Sequence, residues 1–175
     1  MKNADEYDRL LAEERCGLTP DNIASYANGG VDSFVYPNGD KVELEPASLV
    51  NWPVQLALVN PAESWLKGAS LLIAADCTAY VYSAFHQRLL PGNVLLIGCP
   101  RLGDCELYLR KLTEIFKRDC PSSIAVSCIK VPFCEKLAAL TEQALTASGL
   151  KREIKLIEVS PAGNFMEVRE VKEKQ

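Results

Sequence analysis

The chain has 175 residues, 48% of them apolar, and a net charge of −4 at pH 7. This length supports one hydrophobic core, and the mildly acidic charge argues against nucleic acid as a partner. No apolar run approaches the roughly 20 residues that a membrane-spanning helix requires. The charged start MKNADEYDRLLAEER also lacks the pattern of a secretory signal. We therefore expect a cytoplasmic protein that binds neither nucleic acid nor membrane.

Residues 1–48 are predicted to form an N-terminal extension made of a short helix and a β-hairpin. Ala4 to Arg15 has two leucines among many charges, which is typical of a surface helix. The β-prone segments SFVY and KVELE flank the turn sequence Pro37-Asn38-Gly39-Asp40. An Asn-Gly turn between two such segments favours a hairpin.

Residues 49–175 are predicted to form one α/β domain. Its three apolar runs, Leu71 to Ala75, Val94 to Ile97 and Ile124 to Val131, are each typical of a buried strand. The helical patterns between the runs, Thr78 to Leu90 and Asp104 to Arg118, are long enough for crossover connections. The strands should therefore be parallel neighbours joined by right-handed connections. The expected fold is a three-layer sandwich around a mainly parallel, Rossmann-like sheet.

Further elements are expected on both sides of these runs. Asn51 to Asn60 is predicted to be an opening strand that enters the main sheet, with a proline near its start. Cys134 to Ser148 has the apolar spacing of a crossover helix, and Gly149 follows it as a stop signal. Glu153 to Val159 and Phe165 to Val171 are predicted to be the last two strands.

Seven cysteines is a high and odd count. In a reducing compartment it favours ligands, catalytic groups or small core residues over a disulfide framework. Three of them, Cys77, Cys99 and Cys134, each stand at or just past the end of a predicted strand. Parallel strands end at the same edge of a sheet, where open α/β folds bind their ligands. The three thiols are therefore expected to converge. Cys128 alternates with apolar residues of the third strand and should be a core residue.

Three convergent thiolates favour an iron-sulfur cluster, zinc or copper, because these metals prefer soft ligands. The chain has one histidine, His86, on the helix predicted to follow Cys77, and it is a candidate fourth metal ligand. Asp76 and Asp104 could supply oxygen ligands or hydrogen bonds to the ligands, although Asp104 could equally cap a helix. No CxxC spacing is present, so the prediction depends on the fold bringing the thiols together.

Several segments of the chain also form a recognisable ordered set. They are NWPVQLALVNP, WLKGASLLIAADCTAYVYSAFH, LLIGCPRLGD, YLRKLTEIF and KVPFC. This set resembles the C-terminal domain of a family of bacterial and archaeal iron-sulfur cluster-binding, ferredoxin-like proteins. That family carries NWPVQL, KGADLLIAADC, FH, GCPKLDD, KLTEIF and VPCCGGL, and the resemblance covers about residues 51–145. It implies that Cys77, Cys99, Cys134 and His86 occupy the family's motif positions.

The chain also departs from the family pattern. Phe133 stands where the family has the first cysteine of VPCC, Gly103 replaces the first aspartate of GCPKLDD, and Glu135 and Lys136 replace paired glycines. The family's N-terminal two-cluster ferredoxin module has no counterpart, since this region of the chain carries only Cys16. An electron-relay role that belongs to that module therefore does not transfer to this chain.

The main hypothesis from these observations is a redox protein whose iron-sulfur cluster, of the 4Fe-4S type, is bound by the three strand-end cysteines. Its partner would be a redox protein or a small-molecule substrate. A second hypothesis is an enzyme whose cluster or metal has an open site and acts as a Lewis acid in hydrolysis or sulfur transfer, with His86 or Asp76 as acid or base. The same residues are also compatible with a zinc site, a redox-active dithiol or a non-catalytic interaction domain without a cluster. A homodimer is compatible with each of these functions.

Overall fold

The structure of the protein, a computed structural model, describes residues 33–35, 41–43 and 48–171. Seven strands and four α-helices lie in these ranges, together with a single 3-10 turn at Ser64–Leu66. The strands are β1 (Ser33–Val35), β2 (Lys41–Glu43), β3 (Ser70–Ala75), β4 (Val94–Gly98), β5 (Ser123–Ile129), β6 (Ile154–Val159) and β7 (Phe165–Val171). The helices are α1 (Thr78–Val81), α2 (Phe85–Arg88), α3 (Cys105–Asp119) and α4 (Pro132–Ser148).

The main sheet has five strands in the order β4-β3-β5-β6-β7. The first four are parallel, and β7 pairs antiparallel with β6. Ile73 in β3 lies opposite Leu96 of β4 and Val126 of β5. This pairing fixes the register of the three strands that Cys77, Cys99 and Cys134 follow. The predicted α/β fold with a mainly parallel sheet is therefore confirmed.

The connections change direction at β3. The chain leaves β3 toward β4 on one side, and the next two crossovers run the other way, to β5 and then to β6. Right-handed crossovers therefore place α1 and α2 on one face of the sheet and α3 and α4 on the other. This reversal creates a crevice at the carboxyl ends of β3 and β5, which is where open α/β sheets bind ligands.

The hydrophobic core lies on both faces of the sheet. Every residue from Leu71 to Ala75 is buried, as the continuous apolar sequence of a doubly covered parallel strand predicts. Phe85 from α2 and Phe116 from α3 are among the largest fully buried side chains. Cys128 is completely buried among them, so its predicted role as a core residue is confirmed.

The N-terminal hairpin is present as predicted. β1 pairs antiparallel with β2, and Val35 lies opposite Lys41 across the Asn-Gly turn sequence. The turn residues and the helix predicted for Ala4 to Arg15 lie outside the described residues.

The prediction of an opening strand over Asn51 to Asn60 is wrong. This segment has irregular and turn structure and joins the sheet by a single parallel bridge, from Gln55 to Ile97. The buried Asn51 side chain instead forms hydrogen bonds with both the N–H and the carbonyl of Leu95, at 2.9 and 3.0 Å. The hydrogen-bonding groups of Leu95, at the edge of β4, therefore pair with a side-chain amide, where the sequence predicted the backbone of a neighbouring strand.

The prediction of one helix over Thr78 to Leu90 is also incorrect. The segment forms two single-turn helices, because Tyr82 adopts an extended conformation with φ −95° and ψ 100°. Its ring is buried and lies 6.0 Å from the ring of Phe165 in β7. The Tyr82 ring thus packs against the β6–β7 hairpin at the point where the helix is interrupted.

The two long helices have ends within two residues of the predicted ones. Asp104 caps α3, since its Oδ1 accepts hydrogen bonds from the N–H groups of Glu106 and Leu107 at 2.9 and 3.1 Å. α4 begins two residues before the predicted start, with Pro132 in its first turn, and ends at Gly149 with φ +73°.

A buried lysine connects α3 to the irregular segment before β3. Lys111 is 3% exposed, and its Nζ donates to the carbonyls of Ala57 and Val59 at 2.6 and 2.8 Å. Leu56 and Val59 are themselves fully buried, so this ammonium group holds a core segment whose ladder hydrogen bonds are limited to the bridge with Ile97.

We expect Lys111→Met to lower the free energy of unfolding by about 1 to 3 kcal/mol, because two buried carbonyls lose a charged donor. Lys117→Met on the same helix is the control: that side chain is exposed, and a change below about 0.5 kcal/mol is expected. Urea unfolding measures both variants. Equal effects of the two substitutions would contradict this role for Lys111.

Candidate thiol site

Three cysteines lie at the carboxyl edge of neighbouring strands. Cys77 follows β3 and precedes α1, Cys99 directly follows β4, and Cys134 is in the first turn of α4, just after β5. Because β3 lies between β4 and β5, the three positions belong to adjacent loops of the sheet. Cys77 and Cys134 border the crevice where the connections reverse.

The structure places the three thiols within electrostatic range of one another. Burial raises the pKa of Cys134, a hydrogen bond with the backbone of Ile129 lowers it, and the nearby Cys77, Cys99 and Asp76 raise it further. Exposure differs among the thiols: Cys77 is exposed, Cys99 is partly buried and Cys134 is buried. The site therefore has an open side at Cys77 and a closed side at Cys134.

These side chains are not grouped around a single point. Among residues 48–171 and the two short strands before them, no set of three or more His, Cys, Asp or Glu side chains is arranged to hold one metal ion. The thiols interact electrostatically but do not form the compact set that a mononuclear zinc site requires.

Asp76 contributes a carboxyl group to this edge of the sheet. Burial raises the pKa of Asp76, and a hydrogen bond with the Gln55 side chain lowers it. The backbone N–H of Asp76 donates to the carbonyl of Gly98, at 3.3 Å, which connects the ends of β3 and β4. One carboxylate oxygen, Oδ1, is buried and has no hydrogen-bond partner in the structure. A buried acceptor therefore stands next to the thiols.

Tyr108 is a residue of this region that the sequence reasoning did not identify. Burial raises the pKa of its phenol, a hydrogen bond with the backbone of Cys99 lowers it, and Asp76, Cys99 and Cys105 raise it. In the sequence, Tyr108 is one more large residue on the buried face of a helix. The neighbouring glycines Gly98 and Gly103 were the only signal that could have pointed to it.

His86 and Asp104 lie apart from this interaction set. His86 is exposed on α2 with its ring edge-on to Phe85, 5.6 Å between centroids, and it is not among the groups that shift the pKa of Cys134. Asp104 serves as the N-cap of α3. Its capping role was one of the two interpretations that the sequence left open.

The remaining described cysteines have structural surroundings. Cys105 donates through its thiol to the carbonyl of Pro100, at 3.3 Å. Cys120 is exposed and ends α3 in the left-handed region, with φ +42°. Cys16 lies outside the described residues.

Comparison with known proteins gives a family and a distant relative. A family model described as a Rossmann-like domain matches residues 63–175. An uncharacterised protein of Archaeoglobus fulgidus is 31% identical over 102 residues, which cover 58% of this chain and 71% of that protein. No solved structure matches the chain. In the part of the chain that the structure describes, no helix has both the length and the apolar character to cross a membrane.

The charges at this edge of the sheet predict a pH effect on Cys134. We expect Asp76→Asn to move the pH profile of Cys134 alkylation to lower pH, because the substitution removes a negative charge that raises the pKa of this thiol. Iodoacetamide labelling followed by mass spectrometry of each cysteine measures the profile.

Asp104→Asn is the matched control for this experiment. Asparagine still caps the helix, and Asp104 is not among the groups that act on Cys134, so the profile should stay unchanged. An unshifted profile in Asp76→Asn, or a shift to higher pH, would show that the carboxylate does not act on this thiol.

Proposed function

This chain belongs to the family of Rossmann-like domains, and we propose that the carboxyl edge of its sheet binds an iron-sulfur cluster of the 4Fe-4S type for redox chemistry. The proposed ligands are Cys77, Cys99 and Cys134. The observation that carries the proposal is the placement of these three thiols just after the carboxyl ends of the neighbouring strands β3, β4 and β5, beside the switch point of the sheet.

The donor chemistry supports a metal centre that prefers soft ligands. Thiolates select iron-sulfur clusters, zinc and copper. In a cluster each thiolate binds a different iron, so three separate strand ends can each supply one ligand.

The fold alone does not decide the ligand, because Rossmann-like sheets serve many chemistries. Dinucleotide-binding members place a glycine-rich turn after the first strand, so that the backbone can approach the pyrophosphate. Here the corresponding turn is Asp76-Cys77, with no glycine between β3 and α1. The side chains at this position therefore favour a thiol-bound group over a nucleotide.

When bound, the cluster would supply one-electron transfer. The two sides of the site differ, since Cys134 in the first turn of α4 is buried and Cys77 is exposed to solvent. Burial lowers the local dielectric on one side of the site, and solvent exposure and hydrogen bonds to sulfur also set the potential of such a group. Electrons would enter and leave on the Cys77 side.

Exposed apolar side chains around this edge support a protein as the redox partner. Tyr80 is 90% exposed, Leu102 86% and Phe133 46%. Tyr80 lies in α1 after β3, Leu102 in the loop after β4 and Phe133 in the first turn of α4 after β5. Each is within three residues of one of the proposed ligands. Exposed apolar groups concentrated at one edge of a domain are typical of an interaction surface.

The decisive experiment is anaerobic reconstitution with iron and sulfide, followed by metal and sulfide analysis. We expect a coloured protein that binds several irons, and we expect Cys77→Ser, Cys99→Ser and Cys134→Ser each to lose most of the iron. Cys120→Ser is the control, because this exposed thiol lies at the opposite end of α3 and should leave the iron content unchanged.

The same experiment also separates the competing hypotheses. A colourless protein with one zinc per chain would support a zinc site. A protein without bound metal would support a redox-active dithiol or an interaction domain. Undiminished iron after Cys99→Ser would remove that cysteine from the ligand set.

One observation favours a second candidate, an enzyme whose cluster has an open iron. The Oδ1 atom of Asp76 is a buried acceptor without a partner, and it could bind a donor group of a small substrate. A cluster with three cysteine ligands leaves one iron for such a substrate. Cyanide added to the reduced, reconstituted protein tests this candidate: a changed paramagnetic resonance spectrum supports an open iron, and an unchanged spectrum favours simple electron transfer.

A further inference from the structure

The loop after β4 folds into a tight turn that carries Cys99. The N–H groups of Leu102 and Gly103 both donate to the carbonyl of Cys99, at 3.2 and 2.8 Å. Asp104 then caps α3, and Tyr108 follows one turn into the helix, with its N–H donating to the carbonyl of Asp104 at 3.0 Å. The side chain of Tyr108 is only 3% exposed, so it lies between the helix and this loop.

Two glycines of the loop leave the space that the tyrosine fills. A methyl group added at Gly103 would overlap the hydroxyl oxygen and the ring of Tyr108. One added at Gly98 would lie 3.0 Å from its ring carbon Cε2, which is tighter than ordinary contact. The backbone on both sides of Cys99 therefore packs directly on the phenol.

We propose that Tyr108 is a positioning residue of the thiol site: its ring and hydroxyl hold the main chain at Cys99 in place against α3. The backbone of Cys99 forms a hydrogen bond with this hydroxyl.

The arrangement also depends on the glycine at position 103. In this structure any side chain at that position would collide with the Tyr108 hydroxyl. The glycine and the tyrosine therefore form one unit, which keeps the Cys99 loop close to α3.

The inference rests on the proposed function only for its effect on potential, so its main test uses iron-free protein. Tyr108→Phe keeps the ring and removes the hydroxyl. We expect Cys99 alkylation by iodoacetamide to become about fivefold faster, because one hydrogen bond that holds the loop is lost. Fully buried Cys128 reports global opening and should label at an unchanged rate.

Tyr80→Phe is the matched control, since that hydroxyl is on an exposed side chain and its loss should leave Cys99 labelling unchanged. A second variant, Gly103→Ala, keeps the hydroxyl but displaces the ring, and it should also speed labelling of Cys99 selectively. An unchanged Cys99 rate in both variants, or Cys99 and Cys128 rising together, would overturn the positioning role.

A second arm uses protein reconstituted with iron and sulfide. We expect a shifted reduction potential in Tyr108→Phe with iron content unchanged, because the loop that carries Cys99 is no longer fixed. An unchanged potential together with an unchanged labelling rate would overturn the positioning role. If the wild-type protein binds no cluster, the proposed function fails, and the labelling comparison still decides whether Tyr108 positions Cys99.

Discussion

Parallel pairing of β3 with both β4 and β5 is the constraint on which the rest of this structure depends. Pairing in the same direction places the three strand ends at one edge, and the following segments carry Cys77, Cys99 and Cys134 there. An antiparallel partner would send one of the thiols to the opposite edge. Backbone hydrogen bonds and continuous apolar packing along these strands thus determine where the three thiols lie, although none of the three belongs to a strand itself.

The site combines groups that are costly to gather in the absence of a ligand. A buried thiol, a carboxylate oxygen without a partner and a buried phenol lie near one another, and burial raises the pKa of Cys134, Asp76 and Tyr108 alike. Buried polar groups without partners destabilise a fold, and they concentrate at functional sites. A ligand that binds the thiolates and forms hydrogen bonds with the nearby polar groups would offset this cost.

Sequence reasoning predicts the parts of the fold that depend on periodicity, and it fails where a side chain replaces the backbone. The strands around Ile73 and the cap at Asp104 follow from apolar runs and from capping chemistry. The segment at Asn51 bonds the edge of β4 through a side-chain amide at Leu95 and through backbone groups only at Ile97, which no apolar pattern reveals. Tyr108 was missed for a similar reason: its role comes from contact with Gly103, which is visible only once the loop is folded.

The central claim is that the three sulfur atoms at this sheet edge bind several irons together. Iron-edge anomalous diffraction from crystals of anaerobically reconstituted protein tests it most directly. The account predicts a compact group of iron peaks between the side chains of Cys77, Cys99 and Cys134. A single peak, peaks at other residues, or no iron at this edge would contradict it.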